Sequence, residues 1–395
     1  MDQITIQRVS DLVDSLRDEM VEMSLAIHDH PELGHQEFFA KGLQVEKLRH
    51  YGFEVEENYC DIPTAYRAVY KGKKPGPKIA MLAEYDALPK LGHGCGHNLI
   101  CMMSLASAIA MRPFADEYGA EIYVIGTPAE ETAGSKVEMS RKGAFKELDV
   151  AMMAHPANRD ESSMNSMAIC VRRFEFFGKT SHAASAPEEG LNALDAMINF
   201  FNLVNALRQQ TKDDVRIHGV IQNGGEAPNI IPDYTNALFY IRSSKTHQLE
   251  GVVKRVEDCA RGAALGTGTT VKISRDEEDF KDTNSNQYLN ELACRQVEKF
   301  GVTIQRMGTA AHMGSSDVGD VSYECPAIQL QSWMGPREGG QYYAHTTEFC
   351  EMARSQSAFD NSFRYVKGFV LTAIELMTDP AHLKAIKEEF ARINQ

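Results

Sequence analysis

The stretch HGCGHN, residues 93–98, sets His93, Cys95 and His97 two positions apart, separated by glycines. Imidazole and thiolate are the side chains that take zinc and its neighbours among the transition metals. No second Cys/His pair follows at zinc-finger spacing, so local spacing does not complete a site. Further donors must come from elsewhere in the chain. Acids and histidines follow several short apolar runs: Glu84 and Asp86 after KIAMLA (78–83), Glu130 and Glu131 after EIYVIG (121–126), His155 after VAMMA (150–154), and His345 beyond the run at 327–332. If these runs are parallel strands, everything that follows them gathers at one edge of the sheet, where open α/β folds bind ligands. The ligands would then be brought together by the fold.

Each residue has an ordinary structural alternative. An isolated buried acid or histidine is more often a satisfied core group than a ligand, and Cys95 alone would be a small buried hydrophobe. Cys95 lies between glycines and two residues from His97, and Glu130-Glu131 follow a proline and an apolar strand, so these are read as functional. His28 and His30 (HDH) sit two apart, and such residues on a helix face apart, so they are read as structural. His218 and His312 stay open. One cysteine, three histidines and at least two carboxylates suit zinc, with cobalt or manganese as mixed-ligand alternatives. Five donors exceed one tetrahedral site, so two metals sharing a ligand fit better. Such a centre implies hydrolysis through a water of lowered pKa, a general base and a polarised carbonyl.

The elements that would position these groups follow from periodicity. Val9, Leu12, Val13, Leu16, Met20 and Met23 recur at helical spacing over residues 9–29. Strands at 78–83, 121–126 and 150–154 then alternate with helices at 98–111 and 135–145, which predicts a mostly parallel sheet with helices on both faces. The pattern changes to strand 168–177, helix 191–208, strands 215–222 and 234–243, helix 248–265 and strand 269–275. That βαββαβ order is the ferredoxin-like module. Alternation resumes with helix 286–300, a strand at 327–332 and a helix at 356–377. The predicted organisation is a catalytic α/β domain of residues 1–167 and 278–395, interrupted by an α+β domain at 168–277.

At 395 residues the chain can bury two cores without staples. Its net charge of −14 argues against nucleic acid or an anionic membrane surface as partner. Eight scattered cysteines without a CxxC point to reduced thiols. The first residues show no signal-peptide pattern, and no apolar run approaches the roughly 18 residues of a membrane span, so a cytoplasmic protein is expected.

The segments EYDALPKLGHGCGHN, GTPAEET, MMAHP, GKTSHAASAP with GLNALDA, and GGEAPNIIP resemble, in that order and over nearly the whole chain, the M20 metallopeptidase/amidohydrolase family and its dipeptidase-like branch. The resemblance implies that Cys95 bridges two divalent ions, with His97 and His155 completing one site and Glu131 and His345 the other. It makes Glu130 the general base and Asp86 the aspartate that orients a ligating histidine. It implies that the inserted domain is a lid that also forms a homodimer. His182 would reach the other subunit's active site and donate to the oxyanion, while Asn229 and Arg242 would grip the substrate's free carboxylate. The loop MGSSDVGD (Met313–Asp320) is similar to the family's substrate-facing loop. Three positions depart from common family patterns: Glu84 stands where many members have His, Cys95 where many bridge with Asp, and Asn98 where the amidohydrolase branch has Asp. The expected substrate is a dipeptide or N-acyl amino acid with a free carboxylate. The alternatives are aminobenzoyl-glutamate or another N-acyl amino acid as substrate, and an inactive binding homologue, which would have lost the base or a ligand; this chain keeps all of them.

Overall fold

The computed structural model describes residues 2–163, 165–307, 314–335 and 343–393. The chain forms two compact units. One is built from the residues up to Asn165, those from Thr283, and those from Asp317 onward; the other spans Ser166–Asp282 together with residues 314–316.

The first unit opens with α1 (Gln3–Ser15), α2 (Arg17–Asp29) and α3 (Phe38–His50), followed by β1 (Glu54–Glu57), β2 (Tyr66–Lys71) and β3 (Lys78–Ala83). Then come α4 (His97–Phe114), β4 (Glu121–Gly126), α5 (Ser135–Arg141) and β5 (Val150–Ala157). The single helix expected over 9–29 is two helices broken at Leu16. Its apolar stripe, Val9, Val13, Leu16, Met20, Met23 and Ile27, runs buried across the break. Periodicity therefore could not see the interruption. In α2, Asp18 and Glu19 occupy the first turn, where they complement the helix dipole.

The second unit follows as β6 (Ala168–Phe177), α6 (Ala193–Arg208), β7 (Arg216–Asn223), β8 (Tyr234–Ser243), α7 (Thr246–Thr267) and β9 (Thr270–Ser274). The chain then returns to the first unit with α8 (Gln287–Glu298), α9 (Val318–Val321), β10 (Ala327–Trp333), α10 (Thr347–Met352), α11 (Gln356–Thr378) and α12 (Pro380–Ile393).

In the first unit the strands order as β1-β2-β4-β3-β5-β10. The four from β4 to β10 are parallel, and β1 and β2 add antiparallel. The runs KIAMLA and EIYVIG are continuous because both faces are covered. Ile79, Met81, Ile122 and Val124 join one core with α1, α2, α4 and α11, while Ala80, Leu82, Tyr123 and Ile125 join the other with Met139 of α5 and Val318 of α9. The stretch His97–Gly119 is long and apolar enough to cross a bilayer by composition, yet 89% of its apolar 18-residue window is buried within the fold.

The second unit has the antiparallel order β7-β8-β6-β9. Strict burial alternation along β8 marks a sheet covered on one face by helices. Phe200 of α6 anchors that core, with ring centroids 4.5 Å from Phe174 and 5.0 Å from Phe239. β7 and β9 are the edges of this sheet.

Candidate active site

The parallel strands of the first unit end on one side and deliver the site. After β3 the chain turns in, and Glu84 and Asp86 are almost fully buried. α4 starts at His97, preceded by Gly96 at φ 74°. A Cβ on Gly96 would stand 2.9 Å from Cγ of Pro156, so glycine alone allows both the left-handed turn and this approach between Cys95 and His97.

Asp86 organises what surrounds it. One carboxylate oxygen accepts from Nδ1 of His97 at 2.9 Å, and the other accepts the backbone N–H of Glu131 at 3.0 Å. Burial alone would raise this carboxyl, but the His97 charge and hydrogen bond leave it below its usual value. With Nδ1 committed to Asp86, which holds the His97 imidazole well above its usual pKa, Nε2 is the ring nitrogen that would face a metal and give up its proton to it. His155 lies inside β5, which runs three residues beyond the expected end. Its Nδ1 donates to the Pro156 carbonyl at 2.7 Å, and Nε2 stands 3.7 Å from Sγ of Cys95. His345 sits at φ 68°, its Nε2 3.2 Å from Oε1 of Glu131.

Donor atoms of Cys95, His97 and His155 lie within 4.8 Å of one another, as do those of Cys95, Glu131 and His345. The two triads share Cys95. The chemistry of the set fits divalent ions: thiolate, imidazole and carboxylate converge, and Nε2 of His97 and Oε2 of Glu84 are buried with no hydrogen bond among the described residues. Burial holds the Cys95 thiol high and keeps His155 neutral, and a bound cation reverses the first effect by favouring thiolate.

Behind the triads is a charged network. Glu130 meets Glu84 and Asp317 in a cluster whose carboxylate oxygens lie within 4.8 Å. The Nζ of Lys136, fully buried in α5, donates to Oε1 of Glu84 and Oδ1 of Asp317, both at 2.7 Å. Burial, then the charges of Glu84, Asp317 and Glu131, hold the Glu130 carboxyl well above the carboxylate range. Glu131 goes the other way: burial would raise it, but the His345 hydrogen bond and the His97 charge lower it.

Sequence reading missed Lys136 and Glu37. A lysine at the start of an amphipathic helix reads as solvated, and only the distant Asp317 reveals otherwise. Glu37 is fully buried, accepts the backbone N–H of Ala129 at 2.8 Å, and is raised to about 7 by burial and the Asp86 charge. His93 does not join the site with its neighbours. Its Nε2 bonds the Ile27 carbonyl at 3.1 Å, and burial lowers it to about 3. His28 bonds the Cys350 carbonyl, and the His30 ring packs on Phe39. Asn98 bonds Ser24 and the Ala353 carbonyl, a packing role. His312 and Met313 lie outside the described residues.

The second unit holds the remaining candidates. The His182 loop is tied to the Asn229 loop by the Ala183 N–H to Asn229 carbonyl bond at 3.0 Å and a bridge between His182 and Ile230. His182 is exposed, its Nδ1 accepting from the N–H groups of Ala184 and Ser185 at 3.2 Å. Arg242, near the end of β8, donates to Oγ of Ser315 at 3.0 Å. Burial lowers its pKa, and no carboxylate pairs with it among the described residues. His218 packs edge-on against Tyr240.

Comparison with known proteins supplies an independent line. The family model described as a peptidase dimerisation domain matches residues 168–267. The chain is 35% identical to the Xaa-Arg dipeptidase of Mus musculus, over 97% of this chain and 91% of that protein. It is 32% identical to a p-aminobenzoyl-glutamate hydrolase component of Escherichia coli (strain K12), over 68% of this chain and 60% of that protein. Its fold resembles a solved dinuclear metal-binding peptidase of the M20 family from Bacillus subtilis, with TM-score 0.68 and 18% identity, covering 92% of this chain and 99% of that one.

Proposed function

We propose, from the premise that this chain belongs to the M20 family of metallopeptidases and amidohydrolases, that it cleaves the amide bond of a dipeptide or N-acyl amino acid bearing a free carboxylate. The observation that carries this reading is the pair of donor triads sharing Cys95, with Glu130 beside them. His97 and His155 would hold one ion and Glu131 and His345 the other, with zinc first and manganese or cobalt as alternatives. Ions held there would supply a water of lowered pKa and polarise the scissile carbonyl. Glu130 would take the proton of the attacking water and hand it to the leaving amine nitrogen. Asp86 fixes the ring of His97 and the backbone of Glu131.

The half-buried Arg242 guanidinium offers a bidentate partner to the substrate's carboxylate, assisted by Asn229. The dimerisation-domain match and the edge strand β7, where Val220 is 58% exposed, support a homodimer formed through this domain. In that dimer His182 of the partner subunit donates to the oxyanion. The test is a substrate panel assayed with added Zn²⁺, Mn²⁺ or Co²⁺: dipeptides ending in arginine, lysine and neutral residues, N-acyl amino acids and aminobenzoyl-glutamate. The dipeptides are expected to turn over best. Preference for aminobenzoyl-glutamate would favour the activity named for the E. coli relative, and no turnover of any member would overturn the reading.

A further inference from the structure

Three carboxylates and one ammonium share a buried pocket beside Cys95, and the ammonium has a geometry of its own. Lys136 is gripped twice by Asp317, whose Oδ2 accepts the Lys136 backbone N–H at 3.2 Å while Oδ1 accepts from Nζ. The second Nζ bond goes to Oε1 of Glu84, which leaves Oε2 of Glu84 3.4 Å from Nε2 of His97. Lys136, Glu84 and Asp317 are each at most 1% exposed. Oxygen atoms of Glu84, Glu130 and Asp317 lie close enough for one small cation to touch all three. Hard divalent ions choose sites of this kind, built from oxygen. Here the chain supplies the cation itself.

We propose that Lys136 is a positioning residue whose ammonium serves as a built-in cation for the Glu84–Glu130–Asp317 cluster. It keeps divalent ions out of that cluster and confines them to the triads that share Cys95. This rests on the two-metal reading of the site. Lysine suits the task because its ammonium is a compact point charge with three donors and no acceptor, so it satisfies carboxylates without competing for the metals' ligands. Removing the charge while keeping the chain's bulk leaves three acids facing one another without their cation, an all-oxygen set that a divalent ion can occupy.

The experiment counts ions bound per chain, by elemental analysis after equilibration with Mn²⁺ or Co²⁺, in wild type, K136M and K136M/D317N. Wild type should hold two; K136M should hold three; the double variant, with the trio broken, should return to two. The extra Co²⁺ in K136M should show weak ligand-field absorption without a thiolate charge-transfer band, because its ligands are oxygens. A wild type that binds no ions would remove the two-metal reading on which the proposal stands. A wild type with two ions and a folded K136M also with two would overturn the Lys136 proposal alone. If K136M does not fold, the near-isosteric variant E84Q/K136M/D317N, which leaves Glu130 as the cluster's one acid, decides. Its folding would show that the ammonium balances charge, in support; its failure as well would leave Lys136 a packing role and overturn the proposal.

Discussion

Glu130 and Glu131 are adjacent in sequence, yet their surroundings push them apart: three carboxylates crowd the first, and two imidazoles face the second. Neighbouring acids separated in this way take different tasks, one moving a proton and one staying ionised. Glu130→Gln should therefore keep its metal content and lose roughly 10²–10⁴-fold in kcat. Metal lost on dialysis would mean that the two roles are reversed. Glu37 makes a second residue-scale case. Its carboxyl is raised from 4.5 to about 7, so between these values the folded chain binds more protons than the unfolded one, and stability falls as pH rises. The loss is complete above about 7 and amounts to about 3 kcal/mol, at about 1.4 kcal/mol per unit. Chemical denaturation with a chelator present should show Glu37→Gln relieved of that fall between pH 4 and pH 8. Parallel pH profiles would clear Glu37 of it. Neither Glu37 nor Lys136 was legible in the sequence, because a buried charge is recognised by what surrounds it, and their partners lie 92 and 181 residues away. Cys95, His97 and Glu130-Glu131 were legible because glycines, a proline and strand ends mark them locally.

At the scale of elements, β3, β4 and β5 could be read from sequence because burial on both faces makes continuous apolar runs. α3 could not: Lys41 and Gln44 face inward, and Gly42 interrupts the pattern. β1 is a short edge strand and β2 lies beside it, both with charged residues interleaved, and α12 mixes charged with apolar residues. The end of β4 is the element that carries Glu130 and Glu131, and it is tightly set. Ala129 takes φ 56°, a conformation that costs a non-glycine residue about 1–3 kcal/mol and is held here by Glu37. Three residues earlier, a Cβ on Gly126 would lie 2.2 Å from the Tyr66 ring. Gly126→Ala should thus force the strand end or the ring to move, at about 1–3 kcal/mol of stability, and lower kcat more than KM because the base is displaced. Unchanged melting and kinetics would mean that Tyr66 yields freely. In the second unit, Arg242 next to the end of β8 is a cation with no acidic partner among the described residues. Arg242→Met should raise KM for substrates with a free C-terminal carboxylate and leave an amidated analogue nearly unaffected. Equal losses on both substrates would exclude the carboxylate clamp.

On the scale of the whole molecule, the proposed chemistry divides between the two units: base and metal ligands in the first, His182 in the second. An exposed histidine in a loop of small residues has no catalytic use by itself. It gains one if a two-fold axis through the dimerisation domain carries it to the neighbouring active site, since a symmetric dimer makes the same exchange in both directions. The β7 edge offers unpaired backbone groups beside exposed Val220 and Ile221, a surface able to meet its twin. The loss of one oxyanion donor costs about 10²–10³ in kcat, so His182→Ala should be nearly inactive with its metals intact. Glu130→Gln should also be inactive, for a different reason. When the two inactive variants are unfolded, mixed and reassembled, each hybrid dimer contains one site with an intact Glu130 on its own chain and an intact His182 from the partner. The other site lacks both. Random pairing makes half of the dimers hybrids with half of their sites repaired, so activity should return to about one quarter of wild type. Each variant reassembled alone should stay inactive. Hybrid dimers that are verified by mass and recover nothing would place His182 in its own chain's site, or outside catalysis altogether.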